Sequence, residues 1–301
     1  MLKRRIQKVF NMPNTLHFVP DTCFKDKICY NDNHIETINS TIPIKQENGM
    51  DASNTQSDQL VAGRNPVIEL LRSERPVDKV LLLRQDGKGS LQKIIAMAKE
   101  RGVPVKDVTR EKLDALCPDT NHQGVVAFAA ACNYASLEDI FDRAGQQPLF
   151  VVIADGIEDP HNLGAIIRSA DAAGAHGIII PKRHGAGLTA AVMKASAGAA
   201  GHLPVARVSN LASTIEELKK RNVWVYAADM DGTDWCTVDY AGAVALVIGS
   251  EGAGVSRLIK DRSDVVVSLP MCGMVNSLNA SVAAGILLYE VTRQRKGIKA
   301  K

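Results

Sequence analysis

The sequence predicts an α/β protein whose main part is a mostly parallel sheet, and three observations predict it. Short β-branched runs alternate with helical patterns from residue 149 to residue 296, as in a sheet covered by helices on both faces. Three of these runs, 149–154, 243–248 and 265–269, end in polar and small residues that lead into a helical pattern. Strand-end loops of that kind are where open α/β sheets place ligands. Aromatic residues are only 4% of the 301-residue chain while Ala, Gly, Val and Ile abound, which suits tight helix–sheet packing.

Strands are expected at 149–154, 177–180, 203–208, 223–228, 243–249 and 264–269, and helices at 162–173, 188–199, 211–221, 255–261 and 277–294. Residues 59–131 read as a separate small α/β unit. A helix begins around Asn65 with Pro66 in its first turn, and Lys79–Leu83 is a buried strand. Ser90 stands as N-cap to an amphipathic helix that Gly102 stops. Strands at 103–105 and 124–128 and a short helix at 111–116 complete a layered sandwich. Residues 132–148 are a linker with a helical piece at 137–144, and 297–301 are a tail.

Residues 1–58 differ from the rest: rich in Asn, Asp, Thr, Lys and Ser, and without periodicity. They read as a disordered extension or as the product of an upstream start codon, since Met50 precedes a more ordinary beginning. A protein starting at Met50 is expected to fold and act.

Composition narrows the class. An apolar fraction of 46% is that of a globular protein, and a net charge of +3 permits nucleic acid without requiring it. Six scattered cysteines without a CxxC suggest reduced thiols and a cytoplasmic location. Cys23, Cys29 and His34 match no common zinc spacing, and no metal is expected. No stretch reaches the roughly 18 uninterrupted apolar residues of a membrane helix, and no apolar signal core follows the basic start.

The three strand-end clusters carry the chemistry. Asn162-x-Gly164-x-x-x-Arg168 opens a helix, so Asn162 is an N-cap or a site residue, and Arg168 a salt-bridge partner or a site residue. Gly249-Ser250-Glu251-Gly252-Ala253-Gly254 lacks the dinucleotide spacing G-x-G-x-x-G. Its glycines serve a plain turn or let a ligand approach the backbone. Asn276-Ser277-Leu278-Asn279 holds more polar groups than one helix cap uses. Asp155, Glu158 and Asp159 fit an ordinary acidic loop before a helix N-terminus. Lys182, Arg183 and His184 are a solvated loop or a phosphate contact.

In this order, about 85 and 25 residues apart, N-x-G-x-x-x-R, G-S-E-G-x-G and L-P-M-x-G-x-x-x-S-L-N-x-S-V-A resemble the SpoU (TrmH) family of RNA 2′-O-ribose methyltransferases. The resemblance covers about residues 59–296. Val61-Ala62-Gly63-Arg64-Asn65-Pro66-Val67 resembles the start of the substrate-binding domain in the branch that methylates a guanosine of large-subunit ribosomal RNA. The resemblance implies a knotted (SPOUT-type) methyltransferase domain at 149–296, with the chain around 264–296 threaded through an earlier loop. It implies S-adenosylmethionine as cofactor, bordered by Gly249, Glu251, Leu269, Met271, Met274 and Leu278. It implies Arg168, Asn162, Glu251, Ser277 and Asn279 as catalytic residues, and a homodimer with each active site near the subunit interface. RNA, as large-subunit rRNA or its precursor, would be contacted by Arg64, Arg168, Lys182 and Arg183.

Arg168 would act as a donor that steadies an alkoxide or pairs with a phosphate, because a guanidinium stays protonated. Within the class, a transfer-RNA guanosine or a ribosomal site that confers antibiotic resistance are alternative targets. A non-catalytic RNA-binding or ribosome-assembly protein is the alternative of another class; intact Asn162, Arg168, Glu251, Ser277 and Asn279 speak against it.

Overall fold

The computed structural model describes residues 60–83, 89–118 and 120–298. The expectations for residues 1–58, and Cys23, Cys29 and His34, lie outside the described residues.

Two sheets organise the chain. The first has four strands in the order β1-β4-β2-β3, with β1 Leu60–Ala62, β2 Val77–Leu83, β3 Val105–Val108 and β4 Val125–Ala129. Only β2 and β3 pair in parallel. Helix α1 (Arg64–Arg72) and α2 (Ser90–Glu100) bury Val67, Leu71, Leu91 and Ile94 against one face, and α3 (Arg110–Leu116) buries Leu113 against the other. Gly89, not Ser90, holds the N-cap position of α2. The Ser90 hydroxyl instead accepts from Arg64 Nη1 at 3.2 Å. The expected strand at 103–105 begins only at Val105, since Pro104 has no N–H to give a ladder.

The second sheet has six strands, all paired in parallel, in the order β10-β8-β9-β5-β6-β7. They are β5 Phe150–Asp155, β6 Gly177–Pro181, β7 Val205–Val208, β8 Trp224–Asp234, β9 Val244–Gly249 and β10 Val265–Ser268. Helices α5 (Pro160–Ala173), α6 (Ala190–Ala195) and α9 (Ala280–Arg295) cover one face; α4 (Leu137–Ala144), α7 (Leu211–Lys220) and α8 (Arg257–Arg262) cover the other. Along β5, Phe150, Val152 and Ala154 enter the first core while Val151 and Ile153 enter the second. Burial on both faces makes such strands continuous apolar runs.

Three elements differ from their sequence reading. Strand β8 continues six residues past Ala228, because its polar end pairs with β10 after a register shift at Val266/Val267. The helix expected at 188–199 ends at Ala195, where Ala197 and Gly198 take positive φ of 51° and 88°. The helix expected from 277 starts at Ala280, leaving 277–279 outside it.

A buried polar cluster joins the two sheets. Asp78 on β2 accepts from the Tyr134 hydroxyl and lies 3.4 Å from Arg207 Nη1 on β7. The Tyr134 hydroxyl in turn accepts from the Leu188 amide at 3.0 Å. Burial raises the Asp78 carboxyl above its ordinary range despite Tyr134, Arg207 and Lys79.

Candidate active site

The chain leaves β5 toward β6 and β7 on one side, and later fills β9, β8 and β10 on the other. The order therefore reverses between β5 and β9. A crevice opens beyond the carboxyl ends of two strands that send their chains apart. Asn162 follows β5 and Glu251 follows β9, so both belong to this crevice.

Asp159, not Asn162, caps α5: its carboxylate accepts from the amides of His161 at 3.1 Å and Asn162 at 3.2 Å. Asn162 thus sits one turn inside the helix, 8% exposed, with its side chain free for other partners. Its Nδ2 donates to Glu251 Oε1 at 2.8 Å. Asn279 donates to Asn162 Oδ1 at 2.9 Å and also to Glu251 Oε1. The Asn279 side-chain oxygen, Oδ1, meanwhile caps α9, accepting from Ser281 N at 2.9 Å and Val282 N at 3.3 Å. One asparagine thereby ends the third cluster, starts a helix and closes a triangle among three strand ends. Glu251 Oε2 accepts no donor among the described residues.

The motif glycines have spatial causes. A Cβ on Gly249 would lie 2.0 Å from the Gly254 carbonyl carbon. The Ser250 and Gly254 backbones exchange hydrogen bonds of 3.1 and 2.9 Å, pinching residues 251–253 into a tip. A Cβ on Gly164 would lie 2.4 Å from that of Ala195, so α5 and α6 could not approach.

Beside the triangle lies a cavity of about 780 Å³. Its walls include Gly249 to Gly254, Leu269, Met271, Asn276, Ser277 and Leu278. Met274 does not line it and is fully exposed. Asp229 and Lys260, not singled out in the sequence, also line it and pair at 2.7 Å. Burial pushes the Asp229 carboxyl up, but the Lys260 ammonium and the amides of Asp231 and Met230 outweigh it and hold it below its ordinary value. The abrupt end of an apolar run at Asp229 was the available signal; its partner lies across space on α8.

The remaining predicted residues stand apart. Arg168 is exposed and makes no hydrogen bond or ion pair among the described residues. Six residues beyond Asn162, it lies about 9 Å along α5 and about 240° around it, so it does not converge on the triangle within one chain. Arg64 is committed inside the small sheet unit, where its Nε donates to the Gln123 carbonyl at 3.1 Å. Lys182 is half-buried and packs its ammonium at Gly102, while Arg183 is exposed. Among the described residues no three His, Cys, Asp or Glu are placed to hold a metal, and no helix is long and apolar enough to cross a membrane.

Comparison with known proteins decides the family. The SpoU rRNA methylase family matches residues 149–289, and an RNA 2′-O-ribose methyltransferase substrate-binding domain matches residues 60–135. A Bacillus subtilis (strain 168) protein assigned to the TrmH family of tRNA/rRNA methyltransferases is 49% identical over 248 residues, covering 81% of this chain and 99% of its own. The chain belongs to the SpoU (TrmH) family. A Staphylococcus aureus (strain COL) protein with the same assignment is 43% identical over 244 residues, 80% of this chain and 98% of its own. The SpoU methyltransferase AviRb from Streptomyces viridochromogenes, solved with AdoMet, superposes with a TM-score of 0.51 at 28% identity, covering 83% of this chain and 95% of that one.

This SpoU protein is therefore an S-adenosylmethionine-dependent RNA 2′-O-methyltransferase, with a substrate-binding domain ahead of its parallel-sheet catalytic domain. Its residues fit the cofactor. The cavity is large enough for a nucleoside with an amino-acid arm, backbone amides at 249–254 are close to its surface, and Leu269, Met271 and Leu278 offer apolar contact.

Proposed function

We propose that the enzyme methylates the ribose 2′-hydroxyl of a guanosine in large-subunit (23S) ribosomal RNA, acting in the cytoplasm as a homodimer. The observation that carries the target class is the 60–135 substrate-binding domain, fastened to the catalytic sheet through Asp78, Tyr134 and Arg207. A fixed offset between the two suits an enzyme that reads one region of a large folded RNA and acts on another.

The cofactor supplies an electrophilic methyl group on a sulfonium. Gly249, Glu251, Leu269, Met271 and Leu278 hold it, and Met274 follows its loop. The protein's remaining task is to place a ribose hydroxyl in line and to stabilise the oxygen as it loses its proton. Ser277 and the uncommitted Glu251 Oε2 face that hydroxyl, and the Asn162–Glu251–Asn279 triangle fixes them. Arg168 donates to the developing alkoxide or to a neighbouring phosphate, and the exposed Arg183 adds a phosphate contact, with Lys182 joining it once its ammonium leaves Gly102.

The homodimer reading rests on α9. Its inner face buries Ala284, Leu287, Leu288 and Val291, yet its outer face carries Val282, Ile286 and Tyr289 in or near solvent. A helix apolar on both faces is normally covered on both. Helix α5 packs beside it, with Thr292 Oγ1 donating to the Ala173 carbonyl at 2.8 Å. A second copy on this helix pair would bring Arg168 to the partner's triangle.

The trefoil knot belongs to the same proposal. After edge strand β10 the chain runs back across the ends of β8 and β9 to set Asn279 beside Asn162. Helix α9 then ends with Gln294 held by Val238 and Tyr240.

The test is methyl transfer from labelled S-adenosylmethionine to RNA lacking this modification, with 2′-O-methyl sites mapped. One new methylguanosine in large-subunit RNA is expected. A site in transfer RNA would overturn the target and keep the enzyme class.

A further inference from the structure

We propose that a second cavity beside the cofactor site receives the base of the target nucleotide, and that Glu158 selects guanine there. The proposal rests on the guanosine reading above and assigns the residue that enforces it.

The second cavity has a volume of about 480 Å³ and lies between the 156–159 turn, His184 and the 250–253 tip. It shares Ser250, Glu251, Gly252 and Ala253 with the cofactor cavity. Asn162 belongs to its wall. A ribose held at Asn162 and Glu251 therefore has two places for its base, and the cofactor occupies one of them. A base acted on by such an enzyme leaves its stack and is read along its Watson–Crick edge.

The charge of this cavity excludes a phosphate and favours hydrogen-bond donors. Of its three carboxylates, Asp159 caps α5, and Glu251 holds two asparagine amides on Oε1 and leaves Oε2 for the ribose. Glu158 is exposed and has no partner among the described residues. An ionised carboxylate only accepts, and it does so best from two parallel N–H groups. Guanine alone among the four bases offers two adjacent donors, N1–H and the 2-amino group. Adenine and cytosine place an unprotonated ring nitrogen beside their amino group, which a carboxylate repels. Uracil flanks its one N–H with two carbonyls.

His184 supplies the face of the pocket. Its backbone has φ of 57°, in the left-handed region, and its exposed ring borders the cavity. Imidazole is one of the side chains on which unstacked bases rest. Stacking is indifferent to base identity, so the structure divides the work: His184 holds any base and Glu158 chooses.

The experiment titrates 5′-GMP, 5′-IMP and 5′-AMP into the full chain saturated with S-adenosylhomocysteine, by calorimetry or ligand-observed NMR. Wild type, Glu158→Gln and His184→Ala are compared. Wild type is expected to bind GMP at least about tenfold more tightly than AMP, with IMP, which lacks the 2-amino group, between them. Glu158→Gln is expected to bring the GMP-to-AMP ratio to about one, since glutamine offers one acceptor and one donor. His184→Ala is expected to weaken GMP and AMP by the same factor. Equal wild-type affinities for GMP and AMP, no GMP binding at all, or a GMP preference that survives in Glu158→Gln would each overturn the proposal. The titration reads no methyl transfer, so its failure is distinct from a failure to find the ribosomal guanosine.

Discussion

Asn162 donates its side-chain amide to Glu251 at 2.8 Å across 89 positions of sequence, and Asn279 closes the triangle from a third strand end. Glu251→Ala leaves two amides without their shared acceptor. Because Glu251 and Asn279 are exposed, water replaces part of the loss, and the unfolding free energy should drop by about 1 kcal/mol. Methyl transfer should fall at least about a hundredfold. Denaturant titration and single-turnover rates check the two halves.

Arg168→Ala should separate function from stability. The side chain has no protein partner among the described residues, so the unfolding free energy should stay within about 0.5 kcal/mol of wild type. Methyl transfer should drop by about a hundredfold to a thousandfold with cofactor affinity intact. Unchanged turnover would remove Arg168 from the mechanism.

Arg207→Met should be far more costly. It strands the Asp78 carboxylate between the two sheets, 2% exposed, beside Tyr134. Losing one partner of a buried pair costs about 3–5 kcal/mol. Thermal unfolding should show a large drop, and Asp78→Asn in the same chain should recover part of it by removing the stranded charge.

His176 should carry part of the acid sensitivity. Its Nδ1 accepts from the Phe150 amide at 2.9 Å, which requires that nitrogen to be unprotonated. Burial lowers its pKa, reinforced by Arg295 and Arg143. A base whose pKa is depressed in the fold stabilises above its unfolded value of about 6.5 and loses that contribution as the pH falls below it. The drop in melting temperature from about pH 7 to pH 5 should be smaller in His176→Gln than in wild type.

Tyr289→Glu should interrupt the outer face of α9, where the tyrosine is 55% exposed. Sedimentation should show the proposed dimer giving way to monomer, with little change in monomer secondary structure. A variant that remains dimeric would move the interface elsewhere.

Strands 149–154 and 243–249 could be read from the chain alone because burial on both faces leaves an unbroken apolar run. The 276–279 cluster stood out because it holds more polar groups than one helix cap uses, whereas Asn162 and Glu251 were singled out by the family motifs and left open by their local pattern. Which asparagine caps and which binds depended on Asp159, two positions before His161, taking the α5 amides. The polar stretch 229–234 looked like loop and is strand, since its partner β10 lies more than thirty positions on. Asp229 with Lys260, Asp78 with Tyr134 and Arg207, and the cavity that sets Glu158 beside His184 are likewise products of the closed sheet. Helix and strand periods are local, set by a residue and its near neighbours. A buried charge, a shared acceptor or a cavity depends on groups that only the folded chain brings within a few ångströms.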